Sequence, residues 1–175
     1  ELPKYADSPL PVKAFNGFFP RELKIVGPEA DADRIRNYLA RAAEALHRIG
    51  ASIAVLGSGA SRQVPDGWEL ERGEEQMLQT LQWAADEFEG TGVTIAIEPL
   101  NRKETNLIHR VEEAVTYAQQ VNAGPIRVLA DFYHMMEEQE PLTVLTEYKD
   151  WIVHIHVADT GRKAPGTGHY PYDEF

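Results

Sequence analysis

Short apolar runs alternate with longer amphipathic stretches along this chain, and the two spacings predict its elements. Five runs read as strands: residues 11–16 (PVKAFN), 52–57 (SIAVLG), 93–98 (VTIAIE), 126–131 (IRVLAD) and 152–157 (IVHIHV). Between the first two, Ile35, Leu39, Ala42, Leu46 and Ile49 recur at the spacing of one buried helix face, and Gly50 stops the pattern. Met77, Leu81, Ala84 and Phe88 mark a second helix, ended by Gly90 and Gly92. Val111, Ala114, Val115, Ala118 and Val121 mark a third, ended by Gly124-Pro125. A shorter helix is predicted within residues 140–151, with Pro141 in its first turn. Strand and helix in alternation imply right-handed βαβ units and a parallel sheet. No GxGxxG or P-loop motif gives the doubly wound alternative its usual signature; the other option is a (β/α)8 barrel, whose chemistry sits where strands end and loops begin.

Read at those ends, the chain is polar in a selective way. The first run ends at Asn16, the second opens into GSGASRQVPDGW, and the third ends at Glu98. The fourth ends at Asp131, with His134 close behind, and the fifth at His156. A carboxylate closing an apolar run needs a partner. Two carboxylates and an imidazole on successive strands form an oxygen/nitrogen set suited to Mn²⁺, Mg²⁺, Co²⁺ or Zn²⁺. Taken singly, each acid reads equally as a strand-end cap or an ion-pair partner. His154 shares a strand face with His156 and reads as a hydrogen-bonded interior residue one layer deeper.

The motifs GSGASRQVPDG, IAIEPLNRKETN, VLADFYHM and HIHVADTGRKAPGTGHYPY, in that order from about residue 11 onward, resemble the sugar phosphate isomerase/epimerase branch of the xylose-isomerase-like barrels. That branch includes ketose 3-epimerases and hydroxypyruvate isomerase. The resemblance implies a metal-dependent isomerase or epimerase of a ketose or sugar phosphate, abstracting a proton beside a carbonyl through an enediolate. It implies Glu98, Asp131 and His156 as metal ligands, Glu98 doubling as catalytic acid/base, and Mn²⁺ as the expected metal. His134 and Arg162 would hold substrate oxygens, and Glu104 would position the reacting end of the sugar. The family's further glutamate, on the eighth strand, has no counterpart among these residues, and PVKAFN resembles the third strand. The expectation is therefore one domain over 1–175 holding about the third to seventh strands of a partial (β/α)8 TIM barrel, truncated at both ends.

Other features divide the readings. The loop GSGASRQVPDGW could bind a phosphate through its amides and Arg62, or only shape a turn. Trp68 could wall a sugar site or pack. His47 and His109 are read as helical boundary residues, and His169 as lying near the mouth without a clear partner. A sugar dehydratase of the inosose type would use the same groups, an endonuclease IV-like abasic-site nuclease shares the Glu, Asp, His core, and a sugar-binding remnant would keep the pocket without turnover. Composition then narrows the partners. The net charge of -11, from 17 basic and 28 acidic residues, opposes a nucleic-acid backbone. No run approaches the ~20 apolar residues of a membrane span. The absence of cysteine excludes disulfides and thiolate sites and suits a cytoplasmic protein, with a homo-oligomer left open.

Overall fold

The computed structural model describes Tyr5 and residues 7–175. Five parallel strands form one sheet in the order β1 (Ala14–Phe15), β2 (Ile53–Leu56), β3 (Thr94–Ile97), β4 (Ile126–Asp131) and β5 (Ile152–His156). Helices α1 (Ala32–Arg48), α2 (Leu70–Phe88) and α3 (Val111–Val121) connect successive strands. Between β4 and β5 lie α4 (Phe132–Glu137) and α5 (Thr143–Glu147). This is a partial (β/α)8 barrel, as the alternation predicts.

Two boundaries depart from the sequence reading. The first strand is two residues rather than six: Pro11 offers no amide, and Gly17 at φ 65° turns the chain away. Lys13 O nevertheless takes the amides of Ser52 and Ile53, anchoring the approach to β1. The helix predicted over 140–151 shrinks to α5, with Pro141 outside it, before the Leu142 cap. Helix α4 was not predicted at all. Asp131 supplies its N-cap, accepting the amides of Tyr133 at 2.8 Å and His134 at 3.4 Å.

Strand alternation divides the interior in two. On β3, Ile95 and Ile97 face the helices and join Leu39, Met77, Leu81, Phe88, Ile126 and Val128 in the main core. Ala96 faces the other way, in a small cluster with Val55 and Leu129 on the inner side of the sheet. Glu98 and Asp131 follow Ala96 and Leu129 in parity, so the same alternation delivers both carboxylates to that inner side. Between Val128 and Leu129 the β4–β5 register slips: Val128 pairs with Ile152, but Leu129 pairs with His154 and Asp131 with His156. One residue of β5, Val153, is thus extra, a β-bulge. Val153 and Ile155 on β5, and Val157 just past its end, are exposed.

The helix interior holds one purposeful glycine. A Cβ at Gly73 would stand 2.5 Å from Val64 Cγ2, so the bare backbone lets α2 close on the β2–α2 loop. Farther round the sheet, the Glu140 carboxylate accepts the amide of Val111 and caps the start of α3. Burial, outweighing the Val111 amide and Arg110, pushes its pKa up from 4.5 to about 7. A raised carboxyl favours the folded state most below its unfolded value and loses that advantage as pH climbs through the folded one. Stability should therefore fall between about pH 4.5 and 7, by about 3 kcal/mol from this group. Thermal midpoints of wild type and Glu140→Gln across that range check it: the variant should show a flatter slope, and parallel slopes would refute the assignment.

Candidate metal and sugar site

At the carboxyl ends of β3, β4 and β5, one ligand atom each from Glu98, Asp131 and His156 falls within 4.8 Å of the others. His156 Nδ1 lies 2.7 Å from Glu98 Oε1 and 3.8 Å from Asp131 Oδ2. Glu98 and Asp131 are both buried. The donor chemistry fits a divalent cation. Asp131 spends Oδ1 on the α4 amides, while Oδ2, like Glu98 Oε2, accepts no hydrogen bond among the described residues. Burial, aided by Glu98 and opposed by His134 and two amides, raises the Asp131 pKa. The His156 pKa is raised by its bond to Glu98. A cation between these groups would neutralise carboxylates that now crowd each other.

Glu98 stands where it does because the chain beside it is bare. A Cβ at Gly57 would lie 2.2 Å from Glu98 Oε2, and one at Gly59 would lie 2.8 Å from Glu104 O. The glycines of the β2 loop thus let the β3 loop pack directly against it.

His134, Arg162 and Glu104 gather beside the triad. His134 is buried, and its Nδ1 accepts the Asn101 amide at 3.0 Å and approaches Asn101 Nδ2 at 2.9 Å. A ring nitrogen that accepts a backbone N–H carries no proton, so the Asn101 amide places the neutral ring's hydrogen on Nε2, where Arg162 Nη2, itself a donor, makes a contact and not a hydrogen bond. Burial, against the pull of Asp131, lowers the ring's pKa and favours that neutral form. Nε2 faces Asp131 Oδ2 at 3.9 Å and Arg162 Nη2 at 3.3 Å. Arg162 donates to Glu104 Oε1 at 2.5 Å, and its guanidinium lies 4.4 Å over the Tyr133 ring.

The loop that brings Arg162 there is organised by Asp159. Its Oδ1 accepts the amides of Thr160 at 2.7 Å and Tyr170 at 3.1 Å. Burial opposes its charge, yet the amides of Gly168, Thr160 and Tyr170 outweigh that and hold the carboxyl well below the usual carboxylate range. Arg162 itself sits at φ 59°, a conformation that a non-glycine residue keeps only when its surroundings fix it.

Other expectations resolve differently. Arg62 is wholly buried, so it cannot meet a substrate phosphate; its Nη2 donates to Glu98 O at 2.8 Å instead. Trp68 packs against the helix-side core beneath Arg72, the packing alternative. His47 lies in α1 and bonds Thr91 O. His109 is not helical: it precedes α3 and bonds Leu100 O, closing the β3–α3 loop. His169 is exposed. His154 pairs with Leu129, one layer below His156. Asn101, Asp159 and Tyr133 escaped the sequence reading; only Asp159, two residues before the Gly161 turn, carried a recognisable turn signal. A surface cleft of about 680 Å³ between α2 and α3 holds none of the triad.

Strand-tip ligands on a parallel partial barrel have relatives. The sequence matches the description of a xylose isomerase-like TIM barrel over residues 8–175. The chain belongs to that family. It is 34% identical over 79 residues to 3-dehydro-D-guloside 4-epimerase of Escherichia coli K12, covering 45% of this chain and 30% of the relative. It is 30% identical over 101 residues to D-psicose 3-epimerase of Ruminiclostridium cellulolyticum, covering 57% and 34%. The chain thus spans about a third of the length of these curated relatives. The crystal structure of 3-keto-D-glucoside 4-epimerase from E. coli superposes with a TM-score of 0.82 at 22% identity, over 99% of this chain and 68% of that one. Among this xylose isomerase-like chain's described residues, no helix is long and apolar enough to cross a membrane.

Proposed function

We propose that the protein containing this chain is a metal-dependent isomerase or epimerase of a ketose or ketose phosphate. The observation that carries the reading is the triad: two carboxylates and an imidazole within 4.8 Å at three successive strand tips. The relatives that are sugar epimerases support it. Glu98, Asp131 and His156 would hold the metal, with Mn²⁺ the best candidate for a mixed oxygen/nitrogen set. A bound divalent ion supplies Lewis-acid polarisation of the substrate's carbonyl.

The chain's own residues do the rest. Glu98 takes the proton from the carbon beside the carbonyl, a role open to a carboxylate that keeps a free oxygen. His134 donates from Nε2 to a substrate oxygen, and Arg162 adds fixed positive charge where negative charge develops. Glu104 holds Arg162 in place from the far side. The negative overall charge continues to favour a small-molecule substrate over nucleic acid.

Deuterium wash-in at the carbon beside the carbonyl, across a panel of ketoses and ketose phosphates in D₂O with Mn²⁺, tests the reading. Exchange that EDTA abolishes is expected; no exchange with any sugar in the metal-loaded full-length protein would sink it. Product analysis separates isomerisation from dehydration, which shares the proton abstraction. One further consequence concerns the loop. Asp159→Ala should raise KM on the order of tenfold to hundredfold while leaving Mn²⁺ affinity unchanged, because it loosens Arg162 and not the triad. Steady-state kinetics beside a Mn²⁺ titration decide it, and an unchanged KM would refute the role.

A further inference from the structure

Arg62 is the largest fully buried side chain among the described residues, and ion pairing does not explain it. It forms no salt bridge within 4 Å among those residues, and its Nε has no partner. A buried guanidinium without a carboxylate is costly, so its contacts must be informative. Both are to main-chain carbonyls at the sheet's carboxyl end: Nη2 to Glu98 O at 2.8 Å, and Nη1 to Leu56 O at 3.4 Å. Leu56 O also accepts the Glu98 amide, at 3.2 Å.

The position of Glu98 makes these bonds consequential. The β3–β4 ladder ends at Ile97 and Val128, so the Glu98 carbonyl lies one residue past the last pairing. Without Arg62 that buried carbonyl would have no donor to orient it. With Arg62, both backbone groups of Glu98 are fixed, and the peptide that aims its side chain is set. Arg62 is itself held by its loop. Its amide and that of Ser61 bond Ser58 O, Ser61 Oγ bonds Pro20 O, and Ser58 Oγ takes the Phe19 amide. A planar fork of donors suits two carbonyls on neighbouring strands; a point-like ammonium does not.

We propose that Arg62 is a positioning residue for the metal site, tying the carboxyl ends of β2 and β3 together and so fixing where the Glu98 carboxylate stands, without touching metal or substrate. This rests on the assignment of Glu98 as a ligand. Burial lowers the Arg62 pKa only to about 10, so the clamp stays charged at neutral pH.

The experiment is a Mn²⁺ titration by calorimetry on the full-length protein, comparing wild type, Arg62→Met and Arg62→Lys at a temperature where circular dichroism shows each folded. The sign of the change is diagnostic. Coulomb's law alone predicts that deleting a buried cation near the site tightens Mn²⁺ binding. The clamp predicts weaker binding, by about tenfold to hundredfold for Arg62→Met. Arg62→Lys should fall between, since it keeps the charge but grips one carbonyl. Unchanged or tighter Mn²⁺ binding in folded Arg62→Met overturns the proposal. Should Arg62→Met not fold, wild-type affinity in Arg62→Lys overturns it and weakened affinity supports it. A wild-type protein that binds Mn²⁺ yet exchanges no sugar proton sinks the isomerase reading alone and leaves the titration decisive for the clamp.

Discussion

Glu98→Gln should lower kcat/KM by at least about a thousandfold, the largest loss expected of any single substitution in this chain. Both roles proposed for it end together. The amide cannot take a proton from carbon, and general-base contributions alone run to about 10²–10⁴. It also replaces a charged ligand oxygen with a neutral one, so Mn²⁺ binding should weaken in the same variant. The fold should survive. Glu98 Oε2 accepts no bond among the described residues, and the His156 contact of Oε1 can be kept by an amide oxygen. Deuterium wash-in is the sharper readout, because it isolates proton abstraction from later steps. Wash-in at the wild-type rate in Glu98→Gln would remove Glu98 from the chemistry whatever its distance from Asp131 and His156.

Gly57→Ala should cost about a hundredfold in kcat/KM while leaving the thermal midpoint nearly unchanged. The new methyl arrives 2.2 Å from Glu98 Oε2, and the group that yields is the free end of a side chain, not a backbone. Gly57 is not among the glycines at positive φ, so alanine fits its backbone. Stability is then spared, and the damage falls on the carboxylate's position and its bond to His156. Misplacement of a reacting group by about 1 Å is enough for a loss of this size. Activity and midpoint measured on one preparation separate the outcomes. Full activity would place the working carboxylate elsewhere, and a collapsed midpoint would show that the loop, not Glu98, gives way.

How far the sequence carries follows from which interactions are local. The strands β2 to β5 are legible to within a residue, because short apolar runs between helical periods have few other readings. The triad is legible for the same reason: alternation fixes which face Glu98 and Asp131 take, and the ends of apolar runs expose them as anomalies. β1 is less so: the apolar run spans six residues, but Pro11 has no amide to give and Gly17 turns the chain away, so only Ala14 and Phe15 pair. Helix α4 hides because six residues carry too little period to see, and its cap, Asp131, had already been read as a ligand. Arg62 is the instructive failure. Hydropathy places an arginine at the surface, and only a contact spanning 36 residues of chain reveals that it is interior. Asn101 fails likewise, its meaning supplied by His134, 33 residues away.

The bulge at Val153 has a meaning for how this chain tolerates change. Continued without the slip, the Val128–Ile152 pairing would set Asp131 opposite Ile155, an apolar residue that points outward. One additional residue in β5 carries His156 to Asp131 instead. What the site draws from Val153 is its place in the count: removing one residue of β5 ahead of His156 rephases the strand and sets Asp131 against a residue of the other face. An insertion or deletion there displaces the imidazole without altering any residue of the triad.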